Sequence, residues 1–181
     1  SSFDPDAAVL TAVFSPDGKW ILTGCDDGTA RIWDIATGKQ ISSFEHDNEV
    51  KSVAFSSDGT KILTACVDVS PHVWSPATKK QISFSDSSIY NENNIALSAS
   101  FNSDGNEILT TNYDSTVRIW SVAGKQLAIF RHKDKVTDAV FSPDGKWVLT
   151  ACRDKYARIW NVETQSQVGP AVNHDVPVHR V

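Results

Sequence analysis

Short stretches in which apolar and polar residues alternate run along the whole chain, and most of them end in a turn-forming sequence. One such stretch, Val50–Phe55, is followed by a Ser-Ser-Asp-Gly turn. Alternation with a period of two is typical of half-buried β-strands, whereas amphipathic helices repeat every 3.6 residues. No segment longer than a turn or two has the helical period. The pattern therefore predicts an all-β protein.

The predicted strands recur in a fixed order, as four similar units. A phenylalanine that begins a turn sequence such as "FSPDGKW" stands at positions 14, 55, 101 and 141, so the units are 41, 46 and 40 residues apart. A tryptophan follows each of these phenylalanines after 19 residues. Constant spacing inside the units and variable spacing between them indicates rigid cores joined by adjustable loops.

Each unit divides into four predicted strands separated by turns. The first strand ends in a turn of the Ser-Pro-Asp-Gly type, in which Pro16 suits the second position and Gly18 the left-handed conformation. The second strand has the form "WILTGC", the third "TARIW" and the fourth "KQISSF". β-Branched and aromatic residues, which favour strands, are frequent in the third strand.

Four-stranded units of about 40–45 residues with a strand-ending tryptophan are typical of β-propeller blades. On these units the chain resembles the WD-repeat β-propeller family over essentially its whole length, although the Trp-Asp dipeptide occurs only at Trp33–Asp34. The phrases "FSPDGKW" and "TGK" are similar to the bacterial arrays of this family. The resemblance implies an all-β propeller of four-stranded antiparallel blades in a single segment, 1–181, with units at approximately 4–44, 45–84, 85–130 and 131–172.

Residues 1–3 and 173–181 correspond to partial strands of blades on either side of the four units. The family mostly closes its propellers with seven or eight blades, so four units leave the ring open. We expect two chains to join into an eight-bladed ring as a homodimer. A strained four-bladed ring and an excerpt from a longer propeller are the alternatives.

Every unit has an Asp six residues and a Thr ten residues before its Trp, and two units also have a His 28 residues before it. Such a set resembles a hydrolase triad, but repetition in several units serves no chemistry. The family resemblance implies a structural relay instead, in which His bonds Asp and Thr, and Thr bonds the Trp ring nitrogen. Pro5 and Asn91 occupy the His position in the first and third units, which we expect to be less stable. The relay residues are Thr23, Asp27, Trp33, His46, Thr64, Asp68, Trp74, Thr110, Asp114, Trp120, His132, Thr150, Asp154 and Trp160.

The resemblance also implies a partner-binding face, called the top, formed by the loop before the first strand and the loop between the second and third strands of each blade. Five extra residues between the second and third units lie on the same side and add Ile89 and Tyr90. We expect a protein or peptide partner there; a solvated rim without a ligand and a purely self-assembling module are the alternatives. The expected contact residues are Asp26, Glu49, Lys51, Val67, Ile89, Tyr90, Tyr113, Lys135 and Arg153.

Composition narrows the function further. A net charge of −5 argues against a general nucleic-acid binder, and the apolar runs are too short for a membrane span. Cys25, Cys66 and Cys152 each stand eight residues before a Trp, which predicts small buried side chains rather than a disulfide framework. No CxxC or paired His/Cys arrangement indicates zinc. We therefore expect a cytoplasmic, non-catalytic scaffold without a cofactor.

Overall fold

The computed structural model describes residues 7–67, 71–82 and 95–180 of the chain. Within these ranges the structure consists of β-strands joined by turns, and none of the described residues forms a helix. The strands make four antiparallel sheets, and each sheet contains four strands that are consecutive in the sequence. This architecture confirms the predicted all-β fold with four propeller-type blades. No helix in the described ranges is long and apolar enough to cross a membrane.

The first two sheets cover the N-terminal half of the chain. The first sheet contains β1 (Val9–Phe14), β2 (Trp20–Cys25), β3 (Thr29–Asp34) and β4 (Gln40–Glu45). The second sheet contains β5 (Val50–Phe55), β6 (Ile62–Cys66), β7 (His72–Trp74) and β8 (Gln81–Ile82). The strand predicted at Val50–Phe55 therefore has the predicted bounds.

The other two sheets repeat the same order. The third sheet contains β9 (Ala96–Phe101), β10 (Glu107–Asn112), β11 (Thr116–Ser121) and β12 (Gln126–Arg131). The fourth sheet contains β13 (Val136–Phe141), β14 (Trp147–Cys152), β15 (Tyr156–Asn161) and β16 (Gln167–Asn173).

The turn between the first and second strands of each sheet has the predicted conformation. Gly18 has a φ of 69°, in the left-handed region that glycine tolerates best. Its N–H donates to the Ser15 carbonyl at 2.9 Å, and the Ser15 hydroxyl donates to the Asp17 carboxylate at 2.7 Å. The corresponding glycines of the other three sheets have φ values of 69°, 69° and 71°. The turn sequence thus fixes the same hairpin four times.

The hydrophobic core lies between neighbouring sheets rather than inside any one of them. Ile32 and Phe44 of the first sheet pack against Val50 and Val53 of the second. Similar clusters join the second sheet to the third, and the third to the fourth. Each sheet therefore depends on its neighbours for burial of its two faces.

The four sheets form an open row in the described part of the chain. β1 packs against β5, β5 against β9, and β13 against β10, but the first and fourth sheets have no comparable contact with each other. Val9 is 45% exposed, whereas Val50 and Val136 at the same strand position are buried. The open arrangement argues against the closed four-bladed ring among the alternatives.

The segment after β16 lies along the first strands of the fourth sheet. The Thr137 hydroxyl donates to the Val178 carbonyl at 2.5 Å, and the Val178 N–H donates to the Cys152 carbonyl at 3.3 Å. Residues 174–180 form no strand. Asn173 is the last residue of β16 and so belongs to the fourth sheet. The partial strand of a following blade expected at 173–181 stays a prediction.

Candidate functional site

A Trp–Thr hydrogen bond occurs in every sheet, and it is buried in the first and third sheets and partly buried in the second and fourth. The Trp ends the third strand and the Thr lies in the second strand, and the strand register places the two side chains on one face of the sheet. The Trp Nε1–H donates to the Thr Oγ1 at 2.9–3.0 Å. A buried indole N–H needs a partner, and the Thr supplies it. The four pairs are Trp33–Thr23, Trp74–Thr64, Trp120–Thr110 and Trp160–Thr150.

The Asp that follows the second strand bonds an arginine. Asp154 Oδ1 and Oδ2 accept from the two terminal nitrogens of Arg158 at 3.0 and 2.7 Å, and Oδ1 also accepts from the Tyr156 N–H at 3.1 Å. The Asp therefore holds the turn between the second and third strands and neutralises an Arg two residues before the Trp. Equivalent ion pairs in the first and third sheets are Asp27–Arg31 and Asp114–Arg118, both at 2.5 Å.

The expected bond between His and Asp is not formed in the fourth sheet. His132 Nε2 lies 2.9 Å from Thr150 Oγ1, as the relay requires. Its Nδ1 is shielded from solvent and has no hydrogen-bond partner among the described residues. Both carboxylate oxygens of Asp154 are occupied by Arg158, because a bidentate charged pair is stronger than a bond to a neutral imidazole.

In the second sheet, Asp68 lies outside the described residues, so its part in the relay stays a prediction. In the third unit, Asn91 was expected at the His position because the first strand was predicted to start at Ile95. β9 begins at Ala96, so the position 28 residues before Trp120 is Glu92 and not Asn91. Neither residue is a His.

Charges in the fourth sheet are fixed near neutral pH. Burial lowers the pKa of His132 to about 4, and the positive charge of Arg158 acts in the same direction. Burial alone would raise the pKa of Asp154, but hydrogen bonds from the Arg158 and Cys152 side chains and other partners outweigh it and hold that pKa below its usual value. A catalytic His needs a carboxylate on one nitrogen and a nucleophile on the other. The arrangement in the fourth sheet provides neither a poised base nor an aligned carboxylate.

Asn112 is a polar residue of the third sheet that the sequence reasoning missed. It is buried at the position where the other units carry a Cys. Its Nδ2 donates to Thr110 Oγ1 at 3.2 Å and to the Thr116 carbonyl at 3.2 Å. Asn112 therefore supports the Thr110 hydroxyl where His132 supports that of Thr150. Alignment of the four units shows the exchange of Cys for Asn and could have revealed it.

The cysteines are buried, as predicted, and they also contact polar groups. Cys25 Sγ lies 3.2 Å from Arg31 Nη1 of the same face, and Cys152 Sγ lies 3.2 Å from the Asp134 carbonyl. Cys66 Sγ lies 3.4 Å from His46 Nδ1. Burial raises the pKa of the Cys152 thiol, which keeps it protonated and unreactive.

The second sheet departs from the other three at one of these positions. His72 stands two residues before Trp74, where the other units have Arg31, Arg118 and Arg158. Its ring lies 4.9 Å from that of His46, centroid to centroid. Sequence reasoning did not single out His72, although the break in the arginine pattern was visible in the alignment of units.

The two loops that the resemblance assigns to the top face lie side by side at one end of each sheet. The residue after the second strand donates its backbone N–H to the residue just before the first strand, at 2.9–3.2 Å in all four sheets. These bonds hold the two loops of each blade side by side. The bonded pairs, donor first, are Asp26–Ala8, Val67–Glu49, Tyr113–Ile95 and Arg153–Lys135.

The side chains expected at this face differ in exposure. Those of Asp26, Lys51, Tyr113 and Arg153 are exposed, and that of Tyr113 is 63% accessible. Glu49, Val67 and Lys135 are half-buried. The Lys51 ammonium forms an ion pair with the Glu49 carboxylate. Ile89 and Tyr90 lie outside the described residues.

Comparison with known families agrees with this geometry. The family model described as WD domain, G-beta repeat matches four segments of the chain, residues 2–34, 38–75, 84–121 and 124–161. The chain therefore belongs to the WD-repeat family.

The chain is similar over about one repeat to proteins named for ribosome biogenesis. The chain is 54% identical over 33 residues to the ribosome biogenesis protein ERB1 of Debaryomyces hansenii and 47% identical over 36 residues to that of Botryotinia fuckeliana. It is 48% identical over 33 residues to the ERB1 protein of Saccharomyces cerevisiae. These segments are 18–20% of the chain and 4–5% of the relatives.

Proposed function

We propose that the chain is a non-catalytic interaction scaffold whose top face binds a protein or peptide. The observation that carries this proposal is the pairing of the two loops at one end of every sheet, with the aromatic side chain of Tyr113 exposed there. Exposed aromatic residues are frequent anchors of protein interfaces. Membership of the WD-repeat family supports the same function.

The charge of the top face suggests what kind of peptide it would bind. The fourth sheet presents basic residues at this end, whereas Asp26 and Asp27 make the first sheet acidic. A partner with an acidic segment near the fourth sheet would match this distribution and associate faster at low salt. The basic residues are Arg131, Lys133, Lys135, Arg153 and Lys155.

Selection from a displayed peptide library on the immobilised chain tests the proposal. Tyr113→Ala and Arg153→Glu should each weaken the selected peptides by about tenfold or more, because interface anchors typically contribute 1.4 kcal/mol or more. Lys146→Glu is the matched control: it makes the same charge change in the same sheet, at the opposite end of β14. Peptides whose binding is weakened by Lys146→Glu but not by Tyr113→Ala or Arg153→Glu would contradict the proposal.

A second candidate function is self-assembly into a closed ring, and the exposed outer sheet faces favour it. Ile159 of the fourth sheet is 43% exposed, whereas Ile32 and Ile119 at the same position are buried by the next sheet. An apolar groove of about 560 Å³ lies on this face between Val140, Trp147 and Val168. Another sheet, from a second copy or from further residues of a longer chain, would bury this surface and the exposed β1.

Light scattering on the 181-residue chain separates these outcomes. A mass of twice 19.8 kDa supports an eight-bladed homodimer, and a stable monomer of 19.8 kDa contradicts it. Reversing the charge of Lys135 and Arg153 distinguishes the two functions. Loss of peptide capture with unchanged mass supports the scaffold, and altered mass supports self-assembly.

The remaining expectations are parts of the same proposal. The net charge of −5 supports a protein partner rather than nucleic acid, and buried thiols support a reducing compartment such as the cytoplasm. The bacterial character of the array stays a prediction.

A further inference from the structure

Three positions of each unit distinguish the four sequences around the Trp–Thr pair: 28, eight and two residues before the Trp. In the second sheet they hold His46, Cys66 and His72. The fourth sheet has His132 and Cys152 at the first two positions but Arg158 at the third. Only the second unit therefore combines two imidazoles with a thiol and lacks the guanidinium at this place.

The side chains of the second sheet meet closely. Nitrogen or sulfur atoms of His46, Cys66 and His72, one from each residue, all lie within 4.8 Å of one another. His46 Nδ1 lies 3.4 Å from Cys66 Sγ. Cys66 is fully buried, and both histidines are half-buried, so the cluster opens to solvent on the imidazole side.

The backbone holds all three residues in place. His72 pairs with Thr64 across the β6–β7 ladder, so it shares a face with Cys66 two residues further along β6. The His46 N–H donates to the Gly28 carbonyl at 2.8 Å. A side chain at Gly28 would come within 2.5 Å of the His46 carbonyl, so a glycine is needed for this close approach. The cluster is therefore built from three fixed strand or loop positions and not from mobile surface side chains.

Thiolate and imidazole together are the ligand set that zinc prefers. Zn–S bonds are about 2.3 Å and Zn–N bonds about 2.0–2.1 Å, so two ligand atoms of one tetrahedral ion lie roughly 3.5 Å apart. The His46–Cys66 separation of 3.4 Å already matches this distance. The wider pairs would have to approach by about 1 Å, which side-chain rotation can supply.

We propose that His46, Cys66 and His72 bind one Zn²⁺ ion, with a water molecule in the fourth position. The ion would link the loop before β5 to β6 and β7, and would hold the second sheet where an Asp–Arg ion pair holds the other three. The fourth sheet should not bind the ion, because the positive charge of Arg158 occupies the equivalent position. The expected stoichiometry is one ion per chain.

His72 also has a neighbour suited to orient its ring. The nitrogen of the Gln81 side-chain amide lies 2.6 Å from His72 Nδ1. When Nε2 binds the ion, Nδ1 carries the ring proton, and a 180° turn of the amide places Oε1 there to accept it. Metal-binding histidines usually make such a bond with the ring nitrogen that does not bind the ion, and its loss typically weakens metal binding by about 10–100-fold. Loss of a ligand itself should weaken binding by more than that.

Titration of the metal-stripped full chain with Co²⁺ is the direct test, because Co²⁺ replaces Zn²⁺ and is coloured. The wild type should develop a sulfur-to-cobalt charge-transfer band and the strong visible bands of tetrahedral cobalt, saturating at one ion per chain. Cys66→Ser should lose the charge-transfer band, and Cys152→Ser, the matched control in the fourth sheet, should keep it. Added Zn²⁺ should displace the cobalt.

The variant His72→Arg gives the sharpest test. It introduces the arginine that the other three units carry at this position, so we expect the sheet to fold. Circular dichroism and tryptophan fluorescence check the folding. Cobalt affinity should fall at least 100-fold, and Zn²⁺ should raise the melting temperature of the wild type and not of this variant. His72→Asn serves the same purpose if the Arg variant does not fold.

Three results would overturn the proposal. They are a folded wild type without the charge-transfer band, a band that survives in His72→Arg and His72→Asn, and a band that depends on Cys152 instead of Cys66. Cobalt colour without the sulfur band would likewise contradict it, since exposed histidines such as His174 would then be the ligands.

Discussion

At the scale of single residues, the Trp of each sheet bonds the Thr ten residues before it, and the residue that supports this Thr differs between sheets. His132 supports Thr150 in the fourth sheet, and Asn112 supports Thr110 in the third. A buried hydroxyl with two partners is satisfied whichever residue supplies the second. The spacing of ten residues between Thr and Trp is therefore constant, and the residue that completes the network varies.

His132 should make the stability of the chain depend on pH. Its pKa is lowered by burial to about 4, against 6.5 for an unperturbed His, so the unfolded state binds more protons between these values. Stability should fall as the pH drops from about 6.5 towards 4, by roughly 3 kcal/mol in total. His132→Gln removes the titrating group and should reduce this loss, as measured by denaturant unfolding at pH 7.5 and 4.5.

The control for this prediction is His174→Gln, which replaces an exposed His. That variant should lose as much stability on acidification as the wild type. An identical acid loss in the His132→Gln variant and the wild type would contradict the assignment of the effect to His132.

The family resemblance implied the Trp–Thr bonds, and it did not identify the arginine that bonds the Asp. Thr and Trp recur at constant spacing, and the ladder then brings them to one face. The Arg two residues before the Trp belongs to the same pattern, but its competition with His132 for Asp154 depends on where the side chains meet in space. His72 was missed for a related reason. It stands where the other three units have an arginine, and a single departure from a repeated pattern has no signal of its own.

At the scale of the strands and sheets, local stability should differ between the four units. The first and third units lack a His at the relay position, so their amides should exchange faster than those of the second and fourth. Asn112 gives the third sheet a support of its own, so the first sheet should exchange fastest. Hydrogen exchange resolved by strand measures this, and equal protection of all four sheets would contradict it.

Asn112→Ala tests the support in the third sheet directly. The change removes the amide bonds to Thr110 and Thr116 and should lower stability by about 1–3 kcal/mol. Protection should decrease in β10 and β11 and stay unchanged in β14 and β15. Asn112→Cys restores the side chain used by the other units without its amide, and it should also reduce protection. Full protection in that variant would show that volume alone matters.

At the scale of the whole molecule, the four sheets form a row. The outer faces of the first and fourth sheets are exposed, whereas the equivalent faces of the other sheets are buried. Repetition in the sequence predicted the sheets, their strands and their turns, because each depends on local spacing. Repetition did not predict whether the row closes into a ring, because closure depends on contacts between the outer sheets. The structure shows the consequence at Val9 and Ile159, whose equivalents in the other sheets are buried.

If these outer faces mediate self-assembly, Ile159→Asp should abolish it. A carboxylate at an interface that buries an isoleucine loses the apolar contact and is itself desolvated, which costs several kcal/mol. The variant should fold, because Ile159 is 43% exposed in the single chain, and should scatter light as a monomer of 19.8 kDa. Tyr113→Ser, on the top face, is the control and should leave the mass unchanged while weakening peptide capture. A dimer that persists in Ile159→Asp would show that another surface holds the chains together. A wild-type monomer would contradict self-assembly and would indicate that the outer faces pack against further sheets of a longer chain.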